Sequence, residues 1–252
     1  MNFSAIPRHT LLGKLLRWPL RLIPKNSQVR ILQGPLRGKK WIAGSSNHGC
    51  WLGSYELSKQ KAFSEALRPG HIVYDLGANV GFYSLLASVM VGPQGKVFSF
   101  EPAPRNLVLL RKHLALNAVA NCVIYEAAVT DSRGLANFDP AGDWSEGHLT
   151  TESTNCFTVP TVALDDLVSS GELPVPQVIK CDIEGAEYKA LKGAVKILEA
   201  AAPVIFLATH GSEIHQKCCQ LLTKLQYSLH SLDNSPPASA CEILAVPQGK
   251  NL

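Results

Sequence analysis

Two rhythms of apolar residues alternate along the chain, and their alternation predicts the fold. Short β-prone runs at Ile72 to Tyr74, Lys96 to Phe100, Cys122 to Ala127, Gln177 to Cys181 and Val204 to Thr209 read as strands. Between them Phe82 to Met90, Arg105 to Leu116, Tyr188 to Ala200 and Ile214 to Leu225 place apolar residues at helical spacing, and Gly92-Pro93 stops the first of these. Strands alternating with helices predict an α/β fold, with a central, mostly parallel sheet covered by helices on both faces. Two last runs, Ser228 to Leu232 and Ala240 to Val246, flank Asp233-Asn234-Ser235-Pro236-Pro237 and predict a C-terminal antiparallel hairpin. The stretch after Ala127 reads as an irregular polar excursion before the strand at Gln177.

The beginning of the chain has another character. Ile6 to Ile23 sets Leu12, Leu15 and Leu16 against Lys14, Arg17 and Arg21, which predicts a basic amphipathic helix broken at Pro19. It either packs on the catalytic domain or lies on a membrane surface. Basic residues interrupt its apolar stretch and no small-residue cleavage site follows, unlike a secretory signal. Gln33 to Trp41 reads as a hairpin, and Cys50 to Glu56 as a loop leading into a helix that ends at Leu67. Residues 1–66 are thus expected to form an extension, and residues 67–250 the main domain. Trp41, Trp51 and Tyr55 either fill the core or wall an acceptor pocket.

The chemistry concentrates in Val73-Tyr74-Asp75-Leu76-Gly77-Ala78-Asn79-Val80-Gly81, where a strand meets a glycine turn that opens a helix. The next strand delivers Glu101, an acid about 20 residues past the turn, placed to accept hydrogen bonds from two ribose hydroxyls. The turn is Gly-x-x-x-Gly rather than G-x-G-x-x-G, and no Gly-Lys-Ser/Thr grips a phosphate. A cofactor with an amino-acid end and a ribose end fits better than a dinucleotide. Asp75 is expected to meet an ammonium group and the turn amides a carboxylate, as S-adenosylmethionine would require.

A second signature is Lys180-Cys181-Asp182-Ile183-Glu184-Gly185-Ala186-Glu187. Period two puts Lys180, Asp182 and Glu184 on one side if the strand continues that far. Such charges are costly in a buried strand unless they pair or reach a site. A carboxylate there could take the proton of an acceptor hydroxyl, or ligate a divalent cation, although no metal is required. The other reading is an ion-pair and capping cluster, with Glu184 or Glu187 at the start of the following helix. His210, just past the fifth strand, is a further candidate base, metal ligand or substrate contact.

Composition narrows the class. The chain has 252 residues, 46% of them apolar, enough for one α/β domain with a large core. Against 24 basic residues stand 20 acidic ones, and a net +4 without a basic stripe argues against nucleic acid. Seven cysteines without a C-x-x-C suggest a reducing compartment, with Cys181, Cys218 and Cys219 as small core residues. No apolar run approaches the roughly 18 to 20 residues of a membrane span. The expected setting is cytoplasmic, with the inner membrane face as the alternative if Ile6 to Ile23 makes peripheral contact.

Together Val73 to Gly81, Phe100-Glu101-Pro102, Ala127-Ala128-Val129, Thr161 to Asp165 and Lys180 to Glu187 resemble the FkbM family of S-adenosylmethionine-dependent methyltransferases over about residues 67 to 210. The resemblance implies a Rossmann-like class I methyltransferase fold and O-methylation of a hydroxyl on a sugar, glycan or polyketide-type acceptor. It carries cofactor binding onto Asp75, Gly77, Ala78, Asn79, Gly81 and Glu101, and places Lys180, Asp182 and Glu184 at the reaction centre. Many class I enzymes offer the adenine an acid after the third strand. Here Ala127-Ala128 stand in that place, so the contact is expected from backbone or from Glu126. The family's acid near a histidine after the fifth strand is replaced by Ala208-Thr209-His210. A nicotinamide-dependent oxidoreductase, an RNA methyltransferase and a non-catalytic scaffold of glycan assembly remain as rivals. The acceptor pocket is expected among the N-terminal loops, Asp139 to Thr158 with its Asp143-Trp144-Ser145-Glu146-Gly147-His148 segment, and the loops after the fourth and fifth strands.

Overall fold

The computed structural model describes residues 10, 18, 22–142, 146–152, 154–232 and 235–249. The expected amphipathic helix at Ile6 to Ile23 falls almost wholly outside the described residues, as do Asp143, Trp144 and Ser145. Among the described residues no helix is long and apolar enough to cross a membrane.

Strands β1 (Gln28–Arg30) and β2 (Lys40–Ile42) pair antiparallel, and the short helices α1 (His48–Leu52) and α2 (Leu57–Ala66) follow. A βαβα unit comes next: β3 (Ile72–Leu76), α3 (Phe82–Val91), β4 (Lys96–Phe100) and α4 (Pro104–Leu116), the last with proline in its first turn. After β5 (Cys122–Tyr125) the chain leaves the main sheet and returns at β10 (Val178–Cys181). It continues through α6 (Glu187–Lys192), α7 (Val195–Ala200), β11 (Val204–Ala208), α8 (Ser212–Lys224), β12 (Tyr227–Ser231) and β13 (Glu242–Pro247). The seven-stranded sheet runs β12-β13-β11-β10-β3-β4-β5, parallel except at β13, which is antiparallel to both β11 and β12. This is the Rossmann-like class I methyltransferase architecture with its C-terminal antiparallel hairpin.

Helices on both faces explain the mostly apolar character of the central strands, because a parallel strand covered on both sides has no solvent-facing side; Asp75 and Lys180 are the charged exceptions in β3 and β10. All of β10 and β11 is buried. One core cluster joins α3 and β3 to Ile31, Leu36, Trp41 and Phe63, so the described part of the N-terminal segment packs into the same core as the sheet. A second large cluster lies under α6, α7 and α8.

Cys50 to Leu52, expected in a loop, belong instead to the helix α1, which the left-handed Gly53 ends. Two larger differences from the sequence-based expectation have local causes. The stretch after Ala127 is a second sheet, with β6 (Ala128–Val129), β7 (Gly134–Asp139), β8 (His148–Thr150) and β9 (Phe157–Val162) in the order β6-β9-β7-β8, followed by α5 (Leu164–Ser169). Its strands are short and solvated on one side, with Leu135 74% exposed, which hides their alternation. The helix expected over Tyr188 to Ala200 divides into α6 and α7. Asp165 from α5 accepts hydrogen bonds from Lys196 N and Ile197 N, both 3.0 Å, and so caps the second piece as a separate helix.

Candidate active site

Strand order reverses between β3 and its neighbours β4 and β10, and in an open α/β sheet the crevice beyond such a switch point receives ligands. A cavity of about 780 Å³ opens there. Gly77, Ala78, Asn79, Glu101, Ala127 and Ala128 line one part of it, and Lys180, Asp182, Glu184 and His210 another.

The glycine turn is held by its own chain. Gly77 has φ +74°, and a Cβ there would fall 1.9 Å from the Asp182 carbonyl oxygen, so the turn and the loop after β10 are in main-chain contact. Gly81 does not line the cavity. A Cβ at this position would meet Leu110 Cδ1 at 2.4 Å, so Gly81 lets α3 approach α4. The amides expected to receive a carboxylate bond within the protein instead. Gly77 N and Ala78 N donate to Phe100 O at 3.0 and 2.9 Å, and Gly81 N donates to Ala78 O at 2.8 Å. Asn79 N donates to Glu101 Oε2 at 2.7 Å.

Glu101 is therefore a fixed acceptor. Ala103 N (2.9 Å) and Asn106 Nδ2 (3.3 Å) donate to its other oxygen, and the residue is 4% exposed. Burial raises its pKa, and these donors with the Lys180 ammonium oppose the rise. Glu126 is not in the cavity. Strand β5 ends at Tyr125, and Glu126 points outward to pair with Arg111 on the surface, which leaves Ala127 and Ala128 as the wall.

Asp75 also lies elsewhere than expected. It is fully buried beneath the cavity, accepts Ser84 Oγ at 2.6 Å and stands 3.3 Å from Lys180 Nζ. Lys180 also donates to Gly77 O at 2.9 Å. Burial lowers the Lys180 pKa, but the Asp75 and Asp182 carboxylates outweigh it and the net shift is upward. For Asp182 burial acts upward. Lys180, Lys59 and His210 overcome it and hold the carboxyl at about 2.

His210 sits among three acids. Its Nδ1 lies 2.8 Å from Glu187 Oε1, and its Nε2 lies 3.2 Å from Glu184 Oε2 and 3.8 Å from Asp182 Oδ1. Carboxylates on both ring nitrogens favour the imidazolium. The Glu187 hydrogen bond leads and burial opposes, and the result is a pKa raised to about 9. Glu184, at φ +51°, has its own pKa raised, first by burial. Asp182, Glu184 and His210 offer three ligand atoms within 4.8 Å of one another, a set that could hold a divalent cation.

The sequence pattern pointed to Lys180, Asp182, Glu184 and His210, but it did not separate out Glu187, which is wholly buried and orients His210. It also missed Lys59, which touches Asp182, and Glu56 and Glu242, which pair with Lys59 from either end of the chain. Lys59 Nζ lies 2.9 Å from Glu242 Oε1, 3.4 Å from Asp182 Oδ2 and 3.5 Å from Glu56 Oε2. A buried lysine on a polar-looking helix gives no such signal in advance. The open question over the aromatics divides: Tyr55 lines the cavity, whereas Trp41 and Trp51 are buried and do not. Trp41 stacks on the His113 ring with 3.6 Å between centroids. From the Asp139 to Thr158 stretch, Glu146, Gly147 and Leu149 reach the cavity wall.

The profile of the Methyltransferase FkbM domain matches residues 75–229. Hexuronic acid methyltransferase AglP of Haloferax volcanii is 30% identical over 157 residues, 62% of this chain and 63% of that protein. The 31-O-demethyl-FK506 methyltransferase FkbM of Streptomyces tacrolimicus is 41% identical over 69 residues, 27% of this chain and 26% of that one. This chain thus spans less than two thirds of the length of either relative. Among solved structures, a methyltransferase FkbM from Methylobacillus flagellatus KT shares the fold with a TM-score of 0.50 and 17% identity. That match covers 80% of this chain and 55% of the other.

Proposed function

The chain belongs to the FkbM methyltransferase domain family, and from that membership we propose that it moves the methyl group of S-adenosylmethionine to a hydroxyl of a sugar-type acceptor. The observation that carries the reading is one cavity with Glu101 on one side and His210 on the other. Glu101, fixed by three donors, accepts the ribose hydroxyls. Ala127 and Ala128 leave room for a flat base. Asp182 and Glu184 face the reaction centre, where the donor's sulfonium brings positive charge. That AglP is named for hexuronic acid and the Streptomyces relative for an O-demethyl acceptor supports a hydroxyl as the methyl acceptor.

In-line transfer from sulfur to oxygen needs alignment and the removal of one proton. Alignment is the larger share, because fixing two reactants can account for about 7 to 11 kcal/mol of a barrier. Proton removal falls to His210. Asp182, at about 2, is too weak a base for an alcohol, whereas His210 at about 9 is far better matched to that proton. Glu187 holds Nδ1 so that Nε2 faces the cavity. In the resting site most of His210 is protonated at neutral pH, and a sulfonium bound beside it lowers its pKa by like-charge repulsion. A divalent cation on Asp182, Glu184 and His210 would serve the same hydroxyl by lowering its pKa.

The test is transfer of a labelled methyl group from S-adenosylmethionine to neutral and uronic pyranosides. The reading expects the label on an ether oxygen, and with less product from His210→Gln. Label on nitrogen or carbon, or on no acceptor, overturns it.

A further inference from the structure

A donor with an amino-acid end needs a partner for its ammonium group. Asp75 is the residue the sequence nominates, yet it lies beneath the cavity wall and is paired with Lys180 and Ser84. Another group of charges does face the cavity. Glu56, just before α2, and Glu242, at the start of β13, both line it, and both lie outside the segment 75–229 that defines the family domain. They are joined through Lys59, which is 3% exposed and also touches Asp182.

The charges in this cluster do not balance. Asp75, Asp182, Glu56 and Glu242 face Lys59 and Lys180, and the His210 ring that also touches Asp182 is shared with Glu184 and Glu187, so carboxyl groups outnumber cations. Anions withdrawn from water persist when they are paired, and here the acids exceed the cations available to pair them; burial accordingly raises the pKa of Glu242. Glu242 Oε2 is buried without a hydrogen-bond partner, as is Asp75 Oδ1. Glu56 stands at φ +44°, a strained backbone position for a non-glycine residue. Its Oε2 accepts the Tyr83 hydroxyl at 2.8 Å, in the first turn of the helix that follows the glycine turn.

Sheet order decides which end of the donor arrives at this cluster. Glu101 ends β4 and Ala127-Ala128 follow β5, so a nucleoside held by them lies over β4 and β5. Its 5′ substituent, running away from β5 within the cavity, crosses β3 toward β10, where Tyr83, Glu56 and Asp182 stand. S-adenosylmethionine brings an ammonium and a sulfonium to that end, with a carboxylate on the carbon that bears the ammonium, so the net charge arriving beside these acids is positive.

We propose that Glu56 binds the ammonium group of the donor's amino-acid end, in the place the sequence assigns to Asp75. This rests on the methyltransferase reading above. The segment before the family domain is then part of the donor site, and Lys59 keeps Glu56, Asp182 and Glu242 in register around it.

The test is calorimetric titration of the full chain and of Glu56→Gln with two ligands, S-adenosylhomocysteine and 5′-methylthioadenosine. The second keeps the nucleoside and the thioether but lacks the amino-acid end. Glu56→Gln is expected to weaken S-adenosylhomocysteine at least tenfold, about 1.4 kcal/mol, and to leave 5′-methylthioadenosine unchanged. Unchanged affinity for S-adenosylhomocysteine, or an equal measurable loss for both ligands, overturns the assignment. If Glu56→Gln does not fold, Glu56→Asp, which draws the charge back by one methylene, is read by the same ratio of affinities. Failure of the unsubstituted chain to bind either ligand would overturn the methyltransferase reading instead.

Discussion

Replacing Gly77 with alanine tests how the cofactor turn and the reaction loop depend on each other. The new Cβ would stand 1.9 Å from Asp182 O, whereas ordinary contact begins at 3.4 Å, so the Asp182 main chain must retreat by about 1.5 Å. The left-handed backbone at φ +74° adds roughly 1–2 kcal/mol for a residue with a Cβ. Forcing an extra methyl into packed structure adds about 1–3 kcal/mol. The expected loss of stability is therefore about 2–5 kcal/mol, read as a lower urea midpoint at unchanged slope. The retreat also carries Asp182 away from Lys59 and Lys180, now 3.4 and 3.7 Å distant. A displacement of this size near the chemistry should cost on the order of 100-fold in turnover. Glu101, just past β4 and held by Asn79 N, Ala103 N and Asn106 Nδ2, is not in the path of the clash, so affinity for S-adenosylhomocysteine should fall much less than turnover. A Gly77→Ala protein with unsubstituted stability and full turnover would refute the claim that these two main chains must touch.

Four further outcomes follow from the same geometry. With His210 as the base, kcat/KM should rise with pH through an inflection near 9 to a plateau above it, and Glu187→Gln should move the inflection down. A flat profile, or one that Glu187→Gln leaves in place, excludes that role. Because the folded pKa of His210 lies above its ordinary 6.5, its ion pairs stabilise the fold fully below that pH and cease to do so as pH rises through about 9. Asp182 works in the opposite sense: its folded pKa of about 2 lies below the ordinary 3.8, so it contributes about 2 kcal/mol above pH 4, lost as pH falls through 2. Urea midpoints of the unsubstituted chain and of Asp182→Asn across that window check this, and an unchanged acid dependence in the variant contradicts it. Trp41→Ala should cost about 3–5 kcal/mol through the cavity left against His113, with adenosyl-ligand affinity intact because Trp41 does not line the site. Lost affinity at unchanged stability would show that Trp41 belongs to the pocket after all.

Much of this arrangement is legible in the sequence because it is local. The run from Val73 to Gly81 carries strand, turn and helix within a few residues, and Glu101 follows at the distance one βαβ unit requires. The charged alternation of Lys180, Asp182 and Glu184 is visible for the same reason, since a buried strand seldom carries such residues without use. What stayed hidden depends on contacts far apart in the chain. Nothing near Lys59 tells that it meets Glu242, 183 residues away. The pattern offers Asp75 as the partner of an ammonium group, but it does not tell whether the carboxylate faces a ligand or Lys180. Glu126 differs from Ala127 by one position, and in a strand end that is the difference between surface and cavity. The sheet after Ala127 escaped because β8 has three residues and β7 keeps a large apolar side chain in solvent.

The central claim is that this cavity holds an adenosyl donor through Glu101. Titration calorimetry with S-adenosylhomocysteine, comparing the unsubstituted chain with Glu101→Ala, tests it most directly. The account predicts saturable binding by the first protein and its loss in the second, with both proteins folded. No binding by the unsubstituted chain, or equal binding by both, would contradict it.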